Sequence, residues 1–143
     1  MGTVRHILQK KGHAILTIDP NSTVYSALEL MVENNVGALM VMDADRFVGI
    51  FTERDYARKV ILKGKASKET LIKEIMSEHP ATVSPNNTVE ECMQLMTQKY
   101  IRHLPVLEDN SLVGLISIGD VVKYLIEEQK FIIENLEHYI TSH

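Results

Sequence analysis

The sequence is poor in the residues that build covalent or metal-centred frameworks. Its 143 residues contain one cysteine, four prolines and no tryptophan, and aromatic residues make up 6%. A single thiol, Cys92, excludes an intrachain disulfide framework and a cysteine-rich zinc site. We therefore expect no bound metal, and a reducing compartment is the natural one.

Long apolar runs are also missing. None approaches the roughly 20 residues that cross a bilayer, and the polar, basic residues 1–12 lack the apolar core of a secretion signal. We expect a cytoplasmic protein without a membrane partner.

Excess positive charge is absent as well. The net charge of −4 argues against broad binding to nucleic acid, which requires a basic surface. One stretch is locally basic, and such a stretch is usually a solvated helix face, with nucleic-acid binding as a minor alternative. Its members are Arg54, Arg58, Lys59, Lys63, Lys65 and Lys68.

What the sequence does contain is an internal repeat. A shift of 65 positions aligns residues 17–61 with residues 82–126 without a gap. Identical pairs include Pro20 with Pro85, Thr23 with Thr88, Gly49 with Gly114 and Asp55 with Asp120. The match indicates a duplicated unit, and the 45% hydrophobic content is sufficient for two half-cores that close about a pseudo-two-fold axis.

Each unit is predicted to be β-α-β-β-α, which makes the fold class α+β. Strands are expected at residues 14–18, 38–42 and 47–51, and again at 81–83, 104–107 and 112–116. Thr23 and Thr88 stand where a helix N-cap belongs, and second helices are expected from Glu53 and Ile118. Residues 4–8 and 72–76 share one apolar spacing, so each unit is expected to carry a helical lead-in.

The chain thus divides into a lead-in (1–13), repeat one (14–64), a connector with the second lead-in (65–78), repeat two (79–127) and a C-terminal helix extension (128–143). Apolar residues continue along the last helix at steps of three and four. This stripe either docks back on the domain or pairs with a second subunit. It comprises Val122, Leu125, Ile126, Ile132, Ile133, Leu136, Tyr139 and Ile140, with Gln129 among them.

Four stretches carry a resemblance to a known family. They are Val-Gly-Ile-Phe-Thr-Glu-Arg-Asp at 48–55, Val-Gly-Leu-Ile-Ser-Ile-Gly-Asp at 113–120, Ile-Arg-His-Leu-Pro-Val at 101–106 and Glu-Ile-Met-Ser at 74–77. Nearly the whole chain resembles a tandem CBS domain pair, or Bateman module, named after cystathionine β-synthase. The sequence of the first motif and the long C-terminal helix are similar to those of small stand-alone bacterial members of this family.

The resemblance implies two CBS repeats in one globular module with an extended C-terminal helix. It also implies a non-catalytic sensor that binds AMP, ADP, ATP, NAD(H) or S-adenosylmethionine between the repeats, forms a homodimer and acts on an unknown downstream protein. In the family pattern the hydroxyl of Thr52 or Ser117 contacts phosphate, and Asp55 or Asp120 binds the ribose. AMP is the leading expectation, with NAD(H) or ATP as alternatives.

The chemistry of these residue types suits that ligand. A helix N-terminus offers unpaired N–H groups to a phosphate, and a carboxylate accepts from two ribose hydroxyls. Thr-x-x-Asp is also close to a capping box, in which the two side chains serve each other's backbone. Both roles are compatible if the cap holds the ligand-free state.

Other residues are assigned to the clefts by hypothesis. Arg102 and His103 are expected to point at phosphates, the alternative being an exposed arginine beside a backbone-bonded histidine. Arg54 lies within the motif where the second copy has Gly119, and a phosphate role is favoured. Pro105 indicates a cleft-side or edge position. Candidate adenine walls are Val83, Ile101 and Pro105 in one cleft and Ile18, Val36 and Leu39 in the other.

No catalytic constellation is recognisable. Cys92 aligns with Ala27 on a predicted buried helix face, and the six histidines are scattered. The rival to a nucleotide sensor is a structural or partner-binding scaffold in which the Thr-x-x-Asp motifs are only caps.

Overall fold

A computed structural model describes residues 2–141 of the chain. The lead-in helix α1 spans Val4–Lys11. Repeat one contains β1 (Thr17–Ile18), α2 (Val24–Asn34), β2 (Ala38–Asp43), β3 (Arg46–Thr52) and α3 (Glu53–Lys59), followed by a short 3-10 turn at Ile61–Lys63. The second lead-in is α4 (Ile72–Ile75). Repeat two contains α5 (Val89–Lys99), β4 (His103–Glu108), β5 (Ser111–Ser117) and α6 (Ile118–Thr141). The α+β class and the duplicated arrangement are as predicted.

The helices start where the capping residues predict. Thr23 accepts a hydrogen bond from the Ser26 backbone N–H at 3.1 Å. Thr88 and Glu91 form a full capping box, with both N–H···O contacts at 3.0 Å. Both hairpins carry a register shift at equivalent positions, after Val41 and after Val106.

The two sheets differ in their first strand. In repeat one, β1 pairs parallel with β2, and the Met40 N–H donates to the Leu16 carbonyl at 3.0 Å. The predicted strand at 81–83 is reduced to a single parallel bridge between Val83 and Val106. Pro105 occupies the position equivalent to Met40 and has no N–H to donate, so the ladder cannot extend.

The helical lead-ins are exchanged between the repeats: each precedes one repeat in the sequence and packs on the other. Val4, Ile7 and Leu8 of α1 are buried in the core of repeat two. Ile72 and Ile75 of α4 are buried in the core of repeat one. The contacts are equivalent, since the Val4 N–H donates to the residue 87 carbonyl and the Ile72 N–H to the residue 22 carbonyl, both at 2.9 Å.

A third apolar cluster joins the two halves. It combines buried residues of β2 and β3 with Leu112 and Leu115 of β5. The two sheets therefore pack on each other, and the strand-to-helix junctions that end β3 and β5 belong to one body. The buried members are Ala38, Met40 and Ile50.

The final helix packs on the domain only over its first turns. Val121 is 1% exposed and fixes the start of α6 to the core of repeat two. Every residue from Gln129 to Thr141 is exposed. Of the two alternatives for the apolar stripe, docking on the domain is therefore wrong for residues 129–141, whereas Leu125 packs against the core of repeat two.

Candidate functional site at the strand-to-helix junctions

The two copies of the motif form matching turns between a strand and a helix. Thr52 ends β3 and caps α3, and Ser117 ends β5 at the start of α6. In both copies the aspartate three residues later accepts from the backbone N–H of the hydroxyl residue, at 3.0 Å for Asp55 and 2.8 Å for Asp120. The capping-box alternative thus describes the local geometry of both junctions.

At the first junction the carboxylate is fully engaged. Asp55 is 5% exposed. Its Oδ2 accepts from the backbone N–H and the hydroxyl of Thr52, at 3.0 and 3.1 Å. Its Oδ1 accepts from the Ser77 hydroxyl at 2.7 Å and from the Lys59 ammonium at 3.0 Å. All four acceptor positions of this carboxylate are therefore used inside the protein.

At the second junction the carboxylate is more open. Oδ2 of Asp120 accepts from the Ser117 backbone at 2.8 Å and from Nζ of Lys11 at 2.6 Å. The side chain of Asp120 is 20% exposed, and Lys11 also donates to the Leu115 carbonyl at 2.7 Å. Burial raises the pKa of Asp120, but the bonds from Lys11 and Ser117 outweigh it and the net pKa lies below the usual value. Asp120 is therefore an anion held by a lysine from the exchanged lead-in.

His103 lies where the two repeats meet. A Cβ placed on Gly37 would lie 2.9 Å from Oε1 of Glu53 and 3.4 Å from Cε1 of His103. The bare Cα of Gly37 thus allows the carboxylate of one repeat and the imidazole of the other to approach the same point. Burial, followed by the charge of Lys11, lowers the pKa of His103, so the neutral ring is favoured.

The two arginines occupy different positions. Arg54 donates from its guanidinium to the carbonyl of Tyr100, at the end of α5 in the other repeat. Tyr100 has left-handed backbone angles as the C-cap, so Arg54 also complements the negative end of that helix. Arg102 is exposed, and its carbonyl accepts from the Ile118 N–H at 2.9 Å. A phosphate role for either side chain stays a prediction.

The residues that are predicted to contact adenine differ in their solvent exposure. Leu39 is 0% and Val83 is 6% exposed, and both lie inside the cores. Pro105 is buried in β4 opposite Leu115. The others, Ile18, Val36 and Ile101, are half-buried and lie at the edges of the cores.

A cavity opens beside Asp120. Its volume is about 430 Å³, within the range of small-molecule sites. Of the predicted site residues only Asp120 lines it. The rest of the wall comes from α1 and α6 and comprises Ile7, Lys10, Lys11, Lys123, Tyr124 and Glu127. An ion pair between Lys10 and Glu127 at 3.2 Å spans this wall.

Comparison with known proteins identifies the duplicated unit. The CBS domain profile matches twice, at residues 4–62 and 72–127. The chain belongs to the CBS-domain family. The CBS domain-containing protein CBSX3 of Arabidopsis thaliana, a mitochondrial protein, is 40% identical over 147 residues, covering 96% of this chain and 71% of that protein.

Solved CBS structures share the fold of most of the chain. The CBS-domain structure of NE2398 is 50% identical, with a TM-score of 0.83 over 87% of this chain and 97% of its own. A CBS-domain protein of Burkholderia ambifaria assigned to signal transduction is 49% identical, with a TM-score of 0.85 over 89% and 96%. The CBS pair is a regulatory or signal-transduction module, in keeping with the name of the Burkholderia protein.

The motif glycines serve the packing of the CBS pair. A Cβ on Gly49 would lie 2.8 Å from the Ser77 carbonyl, and one on Gly114 would lie 2.7 Å from Leu8. Each glycine therefore accommodates the exchanged lead-in that crosses its strand. Their presence beside the motif is explained by this crossing, and it no longer argues for a phosphate.

The remaining reactive groups lie outside the two junctions. Cys92 is buried, and burial raises the pKa of its thiol to about 11, which keeps it protonated at neutral pH. Over residues 2–141 there is no grouping of three or more histidine, cysteine or acidic side chains suited to a metal ion. In the same range no helix combines the length and apolar character needed to cross a bilayer.

Several residues of the site were not found from the sequence. The sequence analysis assigns Lys59 to a solvated basic stretch, although its spacing of four residues from Asp55 also predicts the observed ion pair. Lys10 and Lys11 reach Asp120 only because α1 packs on the opposite repeat, and nothing in their local sequence indicates this.

Proposed function

We propose that this CBS pair is a non-catalytic regulatory module that binds an adenosine nucleotide at the second junction, beside Asp120. The observation that carries the proposal is the contrast between the two carboxylates. Asp55 is buried, and both of its carboxylate oxygens accept hydrogen bonds from the protein. Asp120 borders a cavity of about 430 Å³, and only its Oδ2 is hydrogen-bonded to the protein.

The charges around this cavity favour a phosphorylated ligand. Lys10, Lys11 and Lys123 line it together with the anions Asp120 and Glu127. Asp120 lies in the first turn of the 24-residue helix α6, whose positive end favours an anion. Tyr124 supplies an aromatic surface for the base.

Lys11 connects the ligand-free and bound states. In the structure it neutralises Asp120 at 2.6 Å. In the proposed complex the ammonium turns to the phosphate, and the released carboxylate accepts from the ribose hydroxyls. The cap between Ser117 and Asp120 is thus the resting arrangement of the same residues.

Regulation follows from the elements that form the cavity. Its walls come from α1 and α6, and α1 precedes repeat one while packing on repeat two. A ligand that binds better to one arrangement of these helices biases their relative orientation. A downstream protein that contacts α6 would sense the difference.

The test is thermal unfolding with AMP, ADP, ATP, NAD⁺, NADH, S-adenosylmethionine and GTP. A ligand at about 100 times its Kd adds roughly 2.7 kcal/mol, which raises the Tm by several degrees. We expect the largest shift with AMP, and we expect Asp120→Ala to abolish it. Asp55→Asn is the matched control, because it keeps the side-chain shape at the closed junction and should retain the shift.

The competing function is a partner-binding scaffold without a physiological nucleotide. The exposed end of α6 is the observation that favours it. Absence of a shift with every compound, confirmed by calorimetric titration, would make the scaffold the better explanation.

A further inference from the structure

His103 is a half-buried imidazole at the second junction. It begins β4 and lies directly opposite Ser117 in the antiparallel pair with β5. Opposed residues of such a pair place their side chains on the same face, with Cβ atoms about 4.5–5.5 Å apart. The imidazole therefore starts beside the Ser117 hydroxyl. Over residues 2–141 neither ring nitrogen of His103 has a hydrogen-bond partner in the protein.

One edge of this ring faces the other repeat. A Cβ on Gly37 would lie 3.6 Å from Nε2 of His103 and 2.9 Å from Oε1 of Glu53. The separation between that nitrogen and that carboxylate oxygen is therefore no greater than the sum of the two distances. Since Glu53 is an anion, its charge favours the protonated form of the ring.

Three further charged groups act on the ring from the surrounding elements. Lys11 of α1 and the neighbouring Arg102 disfavour the protonated form, whereas Asp120 of α6 favours it. Lys11 and Asp120 are also paired with each other at 2.6 Å. Burial has the largest influence and the charge of Lys11 the next largest, so the pKa of His103 is lowered and the ligand-free ring is neutral at pH 7.

A bound phosphate would reverse this balance of charge. A phosphate monoester carries about −1.5 to −2 charges at pH 7. In the proposed complex the Lys11 ammonium turns to the phosphate, so the cation that disfavours the protonated ring is neutralised by the ligand. An opposite charge within about 4–6 Å favours the charged form of an ionisable group. The pKa of His103 is therefore higher in the complex than in the ligand-free protein.

We propose that nucleotide binding at the second junction is coupled to the uptake of a proton from solvent by His103, so that the module responds to pH as well as to the nucleotide. The inference rests on the proposed function and adds the regulation of its site. Linkage is reciprocal, so a ligand that favours the protonated ring binds more tightly once the ring is protonated. The affinity should therefore rise as the pH falls through the pKa of the complex, and this rise should end below the pKa of the ligand-free ring.

The test is calorimetric titration of AMP into the full chain at pH 6.5, the ordinary pKa of histidine. Titrations in two buffers with different ionisation enthalpies give the number of protons taken up on binding. We expect the wild type to take up a larger fraction of a proton than His103→Gln. The phosphate of AMP also ionises near pH 6, but it does so with both proteins, so the difference between them reports the ring.

Two further variants sharpen the test. Glu53→Gln should reduce the proton uptake, because it removes the anion that faces Nε2 of His103. His13→Gln is the matched control and should keep the proton uptake of the wild type. His13 is an exposed histidine whose Nδ1 lies 2.8 Å from the carbonyl of Val113, four positions before Ser117 along β5.

The consequence for affinity is measured by the Kd of AMP at about pH 8 and pH 6. Between these values the wild type should gain at least several-fold in affinity relative to His103→Gln. In NMR titrations, the midpoint of the His103 ring signals should move to higher pH when AMP is added.

The outcomes separate this inference from the proposed function. AMP binding with equal proton uptake in the wild type and His103→Gln, or an unmoved His103 midpoint, would overturn the coupling and leave the nucleotide site standing. Absence of AMP binding would overturn the AMP site and the coupling together.

Discussion

The two junctions share a motif and differ in what their aspartates do. Asp55 and Asp120 both cap a helix through the residue three positions earlier. Asp55 is then closed in by Ser77 and Lys59, whereas Asp120 meets one lysine beside a cavity. Both copies keep the helix cap. The neighbouring side chains occupy both oxygens of the Asp55 carboxylate, whereas they leave one oxygen of Asp120 without a protein partner.

The largest expected effect that tests this comparison is on stability. Asp55→Ala should lower the free energy of unfolding by about 2–4 kcal/mol, because it removes the aspartate side of a capping box and leaves the half-buried Thr52, Ser77 and Lys59 without their acceptor. Asp120→Ala should cost about 1–2 kcal/mol, because it removes the aspartate side of a capping box and a partly exposed ion pair with Lys11. Urea titrations of both variants measure the difference. Equal losses would mean that the two junctions are structurally equivalent.

The motif glycines give a second comparison. Gly49→Ala and Gly114→Ala should each destabilise by about 1–3 kcal/mol through overpacking. The loss should be greater at Gly49, where the new Cβ meets the Ser77 backbone rather than the Leu8 side chain. Gly119→Ala is the control, because its Cβ would have ordinary contact at 3.6 Å. Denaturant midpoints rank the three variants, and a neutral Gly49→Ala would refute the close crossing of the lead-in.

The smallest effect concerns His103. Its pKa is lowered from 6.5 in the folded state, so the unfolded chain takes up the proton first as the pH falls. This contribution to stability is complete above pH 6.5 and is lost as the pH falls through the folded pKa. The wild type should therefore lose more stability than His103→Gln between about pH 7 and 5. Parallel slopes in unfolding experiments would show that the ring is not buried as described.

Much of this fold could be predicted because its signals are local. The gapless repeat predicts that the second helices begin at Glu53 and Ile118, and the structure confirms both positions. The predicted capping box between Thr88 and Glu91 is also confirmed, with both of its hydrogen bonds present. The absence of the first strand in repeat two could also have been predicted from the sequence. Pro105 removes the N–H that Met40 supplies in repeat one.

What could not be predicted depends on long-range packing. Lys11 binds Asp120 across 109 positions because α1 joins the opposite repeat. Arg54 reaches Tyr100 across 46 positions for the same kind of reason. Periodicity identifies the buried face of an element, but it does not identify the element that will cover that face.

Calorimetric titration of AMP into the ligand-free protein tests the central claim most directly. We predict one molecule per chain, binding lost in Asp120→Ala and retained in Asp55→Asn. Two equivalent sites per chain, or one site that survives Asp120→Ala and disappears in Asp55→Asn, would contradict the assignment of the working cleft to the second junction.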